Sequence, residues 1–330
     1  MQQIGSVNGT PVHEHILDSG AARVSILSYG ATIRDWRIDS VAEAMVLGFP
    51  DFETYLTQSR AHGVIAGRVA NRTGFGRFTL DGTAHQLDVA KPPHHLHGGG
   101  EGLGKVVWEM EPDGDRAVRL THTSPHGHMG YPGEVAFSAL FELDGPRLTL
   151  TMEGQPDRRT PINLAQHNYY TLGATTGVRD HVFHAAADRF TPTDDTLLPT
   201  GEIAAVAGTR YDFRTPRSSR EADPDEQGID INMVLADGRP AEVECCTLLN
   251  PANDVRMRMW TDQPGLQVFN TWHFRFDVDH HDGLRTEGYQ GFAVEPQHFP
   301  DSLNNPDWPS IIYSPDRPYK QVLGVEIARG

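Results

Sequence analysis

VAFSALFEL (Val135–Leu143) and RLTLTME (Arg147–Glu153) place an apolar residue at every second position, and Gly145–Pro146 lies between them. That spacing is the period of a half-buried strand, and a Gly-Pro break between two such runs reads as a turn. The pattern recurs in ARVSILSY (Ala22–Tyr29), in Ala31–Ile38 and in Gly76–Leu80. Pro132–Gly133 marks another turn, and Asp81–Gly82, directly after Phe78–Leu80, is a hairpin signal. Helical windows are few. The best is DFETYLTQS (Asp51–Ser59), about two turns with Asp51 as N-cap. Short apolar runs separated by frequent Gly and Pro predict an all-β chain, and 330 residues suit a large antiparallel β-sandwich, residues 1–330 forming a single domain. The polar run Arg214–Gly228 reads as a long surface loop within it.

Composition narrows the function. With 28 basic and 44 acidic residues the formal net charge is −16, which disfavours nucleic acid and anionic membranes as partners. The apolar content, 38 %, and charged content, 22 %, fit a globular protein rather than a disordered one. The two cysteines are adjacent, Cys245–Cys246, so no disulfide framework is expected. MQQIGSVNGT lacks the basic and apolar regions of a signal peptide, and no window is apolar over about 18 residues. A cytoplasmic location is the expectation.

Two stretches carry the chemistry. PINLAQHNYYT (Pro161–Thr171) reads as a strand with Asn163, Ala165, His167 and Tyr169 on one side, a poor core face but a good lining for a polar cleft. In QGFAVEPQ (Gln290–Gln297), Phe292 and Val294 point one way while Gly291, Ala293 and Glu295 point the other, leaving space above the carboxylate. Facing one pocket, His167 and Glu295 would form an acid/base pair; the alternative for His167 is a satisfied, half-buried histidine. Asp230 stands between Ile229 and Ile231, which favours a ligand or an internal partner over a free surface charge. GRVANRTGFG (Gly67–Gly76) fits no phosphate-loop fingerprint, yet its Arg68, Asn71 and Arg72 are candidates for ligand contact, with a plain turn between strands as the alternative. HHLHGGG (His94–Gly100) invites a metal reading, but no third ligand is at hand, so His97 as a hydrogen-bonding group beside close-approaching glycine backbone is preferred, with a surface turn of solvated histidines as the alternative, and no metal or other cofactor is expected. HTSPHGHMGYPG (His122–Gly133) reads as a loop. Tyr169, Tyr170, Phe269 and Trp272 are candidates to stack on a sugar ring, with core packing as the alternative for each.

Taken together, these blocks resemble the aldose 1-epimerases, or galactose mutarotases. The ordered matches include GRVANRTGFGRFTLDG at 67–82, HLHGGGEGLGKVVW at 95–108, PINLAQHNYYTL at 161–172, GIDINMVL at 228–235, PGLQVFNTW at 264–272 and GFAVEPQHFPDSLNNP at 291–306. The resemblance implies a β-sandwich of the galactose mutarotase type with an open carbohydrate cleft, no metal, and interconversion of the α- and β-anomers of free aldoses, so that the partner is a small monosaccharide. It places the general base on Glu295 and the acid on His167, with His97, Arg72 and Asp230 as substrate-binding residues beside Asn71. The chain departs from the usual pattern at His94, where Asn is common, at AQHNYYTL, at Ile231 and at Pro296 directly after the base. A proline there requires a strand that is unpaired on one side or bulged. Two alternatives remain at this stage. A sugar-phosphate 1-epimerase would need a basic cluster, and the cleft motifs offer only Arg68 and Arg72; a non-catalytic carbohydrate sensor would have no use for the His–Glu pair.

Overall fold

In the computed structural model, which describes residues 1–284 and 288–330, Val135–Asp144 and Arg147–Pro156 pair antiparallel over their whole length around the two-residue turn Gly145–Pro146. Among the described residues this hairpin lies within a nine-stranded sheet. Its order is Glu109–Asp113, Ala117–Ser124, Val135–Asp144, Arg147–Pro156, Tyr319–Arg329, Val255–Thr261, Glu244–Asn250, Val182–Ala185 and Arg217–Ser218. A six-stranded sheet runs Tyr169–Tyr170, Phe292–Gln297, Gly265–Phe269, Asp230–Val234, Arg189–Thr191 and Ala204–Ala205. The first four strands, Gln2–Val7, Thr10–Asp18, Ala22–Leu27 and Thr32–Ile38, form a separate meander. Among the described residues the ladders of these sheets are antiparallel. Phe137, Phe141, Leu150 and Met152 of the larger sheet join Ile231, Met233, Leu266, Val268, Phe292 and Val294 of the smaller one in a single buried cluster. Burial of each such side chain is worth about 1.5–3 kcal/mol, so this cluster holds the two layers face to face.

Alternation then fixes what the smaller sheet shows on its other side. With Phe292, Val294 and Ile231 turned into the core, Ala293, Glu295 and Asp230 must point away from it. Register aligns them in two rows: Asp230, Phe269, Ala293 and Tyr169 in one, Asn232, Gln267 and Glu295 in the next. Pro296 is tolerated because the ladder to Tyr169–Tyr170 ends at Ala293, leaving one neighbour beyond it.

Pro161–Thr171 is not one strand. It makes three short pairings with different partners: Thr160–Pro161 with Ile312–Tyr313, Ala165–Gln166 with Ile65–Ala66, and Tyr169–Tyr170 with Phe292–Ala293. Between them its backbone bonds the segment that precedes Arg72: Asn163 N–H donates to Arg68 O, and His167 N–H to Val64 O. The chain is threaded between two neighbours, so its partner changes every few residues although the alternation of sides survives. The helical reading of 51–59 narrows to Phe52–Thr57; Asp51 has the extended N-cap backbone but makes no side-chain cap bond. The polar run 214–228 is more ordered than a loop. It contains the short helix Ser219–Ala222 with a Ser218/Glu221 capping box, and a buried Asp223. Asp81 and Gly82 both have positive φ, 51° and 76°, as a tight hairpin turn between Leu80 and Thr83 demands. Both cysteines are free and buried. Among the described residues no helix is long and apolar enough to cross a membrane.

Arg68 turns away from any ligand. Its buried guanidinium donates to the carbonyls of Ser124 (3.0 Å), Pro132 (3.1 Å) and Gly133 (2.9 Å) and to Ser124 Oγ (2.7 Å), and it lies 5.2 Å from the Tyr131 ring centre. Burial lowers its pKa to about 10, still charged at neutral pH. One side chain thereby ties the 124–133 loop to the segment that carries Asn71 and Arg72. Arg68→Met would strand those acceptors, each buried unsatisfied group costing about 1–3 kcal/mol. The expected outcome in chemical denaturation is a loss of about 3 kcal/mol or more; a variant within about 0.5 kcal/mol of the parent would contradict this role.

Candidate active site

A cleft of about 530 Å³ opens over the outward face of the six-stranded sheet. Glu295, His167, His97, Arg72, Asn71 and Asp230 all line it, although they come from five separate stretches of chain. A larger hollow of about 650 Å³ crosses the nine-stranded sheet at Glu109, Thr121, Ser138 and Glu153. It contains the surface pair Lys320–Glu153 (3.2 Å) and no buried acid/base couple, so chemistry is sought in the smaller cleft.

Glu295 and His167 meet at its floor. His167 Nε2 lies 3.5 Å from Glu295 Oε2, and both side chains are almost fully buried, 5 % and 2 % exposed as residues. Among the described residues neither that Glu295 oxygen nor His167 Nδ1 has a hydrogen-bond partner. Burial drives the two pKa values apart. His167 falls to about 4. Glu295 is pushed well above the carboxylate range, first by burial and then by the Asp230 charge, with Arg72 acting in the opposite direction. Both shifts disfavour the ionised forms, so burial favours the arrangement in which the imidazole and the carboxyl are uncharged.

The neighbours are set for hydrogen bonding. The backbone N–H of Asn71 donates to His97 Nδ1 at 3.2 Å, which requires that the neutral ring carry its proton on Nε2. Burial, followed by the proximity of His167, holds the His97 pKa well below normal, so it stays neutral, packed edge-on against the His167 ring at 5.1 Å. His97 has φ 50° and is followed by Gly98 at φ 87°, where a Cβ would sit 1.7 Å from Gly67 O; only glycine lets the two loops touch and keeps His97 in place. Asn71 Oδ1 accepts from the Arg72 N–H (2.8 Å), so its carbonyl is committed to shaping its own turn. Asp230 accepts from Gln267 Nε2, and its pKa is raised by burial against the pull of Arg72 and Gln267.

Other histidines of the HHLH run are structural. His95 bonds Tyr131 Oη (2.6 Å) and Asp88 O (2.5 Å) through its two nitrogens, and His94 accepts from Phe75 N–H (3.1 Å) and meets Thr196 Oγ1 (2.8 Å). Among the described residues no group of three His, Cys, Asp or Glu could hold a metal ion. Of the four candidate aromatics, Tyr169 and Phe269 line the cleft, whereas Tyr170 belongs to the core and Trp272 packs beside Phe269 and Gly228. Sequence reasoning missed Gln267, Phe274, His273 and three cations, Arg60, Lys91 and Lys105, all of which line the cleft. Gln267 was findable: it is the polar residue of GLQVF on the same face as Phe269, directly across from Glu295. Arg60 and Lys91 lie on loops without periodicity and Lys105 ends the single 3-10 turn Leu103–Lys105, and the cleft is more basic than its motifs suggested.

The aldose 1-epimerase family model matches residues 14–326. The chain is 34 % identical over 318 residues to human galactose mutarotase, covering 94 % of this chain and 92 % of that one. It is 31 % identical over 298 residues to the aldose 1-epimerase of Escherichia coli K12, covering 87 % and 86 %. The solved structure of galactose 1-epimerase from Lactobacillus acidophilus superposes with a TM-score of 0.86 at 27 % identity, over 100 % of this chain and 98 % of that one.

The raised Glu295 pKa has a cost that can be measured without substrate. In the unfolded chain the group ionises near an ordinary value of about 4.3, whereas in the folded protein it retains its proton to much higher pH. Its contribution to stability is thus full in acid and is lost as pH rises through the interval between those values. Glu295→Gln is expected to melt close to the parent at pH 4 and higher than it by roughly 2 °C or more at pH 8. A variant that melts lower at pH 8 would contradict the electrostatics.

Proposed function

Because the chain belongs to the aldose 1-epimerase family, and is thereby an isomerase, we propose that it interconverts the α- and β-anomers of an aldose with Glu295 as base and His167 as acid. The observation that carries this reading is the 3.5 Å approach of His167 Nε2 to Glu295 Oε2, both buried at the floor of the cleft. O1 and the ring oxygen are both bonded to C1, so the groups that exchange their protons must be neighbours, as these are.

In the proposed sequence the proton of the pair starts on His167, and Glu295 is a carboxylate. Glu295 takes the proton from O1 while His167 gives one to the ring oxygen. The C1–ring oxygen bond breaks and the aldehyde forms. Both groups are now uncharged, the distribution that burial favours. The site thus stabilises the open-chain stage and leaves the charged form to be supported by substrate oxygens and by Arg72. Rotation about C1–C2 turns the other aldehyde face to the C5 hydroxyl. On reclosure His167 recovers its proton and Glu295 returns one to O1, giving the other anomer. His97, as an Nε2–H donor, would bond an oxygen near the ring, and Asp230, Arg72 and the free amide of Asn71 would hold hydroxyls. Tyr169 and Phe269 offer an apolar face to the sugar C–H bonds.

The test is polarimetry on freshly dissolved α-D-galactose and α-D-glucose. Glu295→Gln and His167→Asn should each lower kcat/KM by about 10²–10⁴, the usual worth of a positioned acid or base. Full activity in both variants would refute the assignment. The parent needs one proton on the pair, so its kcat/KM should fall as pH drops toward the His167 value of about 4 and, on the alkaline side, only well above the ordinary carboxylate range. A profile with a single limb centred on an ordinary histidine pKa of about 6.5 would contradict it.

A further inference from the structure

On an acidic chain of net charge −16, the cleft carries Arg60, Arg72, Lys91 and Lys105 against two carboxylates, Asp230 and Glu295, among its described lining residues. None of the four cations has a carboxylate ion-pair partner among the described residues. Arg60 lies instead over the rings of Phe274 (5.1 Å) and Phe276 (5.3 Å), and its carbonyl accepts from Tyr169 Oη (2.6 Å), which fixes it on the aromatic wall. Lys105 is tied to the carbonyls of Gly99 (3.3 Å) and Gly100 (3.1 Å), in the segment that follows His97. Burial, and then the nearby exposed Lys91, lower the Lys105 pKa, with Asp88 acting in the opposite direction. Arg72 acts electrostatically on Asp230 and Glu295, and Asp88 acts on Lys105, but among the described residues neither Arg60 nor Lys91 is ion-paired, and a neutral hexose, which offers only hydroxyls, has no use for their charge. A cleft of one sign does raise the encounter rate and the affinity of a ligand of the other sign. Asp230 and Glu295 sit on the floor and would repel an anion there, so the complementary charge belongs at the mouth, away from C1.

Resting on the epimerase reading, we infer that the preferred substrate is an aldose bearing an anionic group, a carboxylate or a phosphate ester, held toward the cleft mouth by Arg60 and Lys91 while its anomeric carbon faces Glu295 and His167. The chemistry at C1 is unchanged, and no additional reactant is needed.

Anomeric exchange followed by proton NMR on five sugars tests this: galactose, glucose, glucuronate, galacturonate and glucose 6-phosphate. The expected result is kcat/KM for the hexuronates, the 6-phosphate or both at least about tenfold above that for the neutral hexoses at low salt, with the advantage shrinking as ionic strength rises. The double variant Arg60→Gln/Lys91→Gln should lower the anionic-to-neutral ratio by about tenfold, and the two single variants show which wall contributes more. The uronate and phosphate arms identify the anion. Galactose or glucose turning over faster than every anionic sugar, or a ratio indifferent to salt and to the double variant, overturns the inference while leaving the epimerase reading intact. If none of the five sugars is interconverted, both fall.

Discussion

A carboxyl and an imidazole lie within 3.5 Å of each other where water scarcely reaches them, and in the proposed chemistry they share one proton; most of the architecture around the cleft can be traced to that constraint. Each group alone would be an expensive thing to bury. Burial itself relieves much of that cost by favouring the uncharged forms, lowering the histidine and raising the glutamate, and Arg72 stands near enough to pull the carboxyl back toward its charged form. In the proposed chemistry, the state burial prefers is the one reached when the sugar ring opens. The sandwich supplies what makes this geometry repeatable. Glu295 lies on a strand whose alternate residues, Phe292 and Val294, are locked in the core, so its direction is set by packing rather than by a loop.

How the sequence reports this differs from element to element. Val135–Asp144 and Arg147–Pro156 are legible because they are long, lie on a half-buried sheet and turn through two residues, so period and punctuation agree. Glu295 and Asp230 are legible for a related reason. A carboxylate flanked by core-facing apolar residues is inconsistent with a plain strand, and such inconsistencies collect at functional sites. His167 is legible by its face but not by its secondary structure, because its segment borrows a new partner every few residues and periodicity cannot show which. Arg68 and Arg72 look alike in the sequence. What separates them is that Arg68 meets a ring of loop carbonyls from 124–133, a long-range event that local pattern does not encode. Arg60, Lys91 and Lys105 were invisible for the same reason: their loops converge only after the sheets pack.

Those loop cations alter the picture drawn from composition. A net charge of −16 argues against anionic partners when averaged over the surface, yet the cleft inverts that sign locally. A charge average describes solubility and distant encounters, whereas a small ligand responds to the few groups within a Debye length, about 8 Å at physiological ionic strength. Family membership fixes the kind of chemistry, and the lining of the mouth bears on which sugar receives it.

Nitrogen-15 NMR of histidine-labelled enzyme tests the shared proton most directly, with His167→Asn used to identify the resonance. The account predicts that His167 in the empty enzyme stays a neutral imidazole from pH 8 down to the region of about 4, where it takes up a proton. An imidazolium at pH 7 that titrates near the ordinary value of about 6.5 would contradict it.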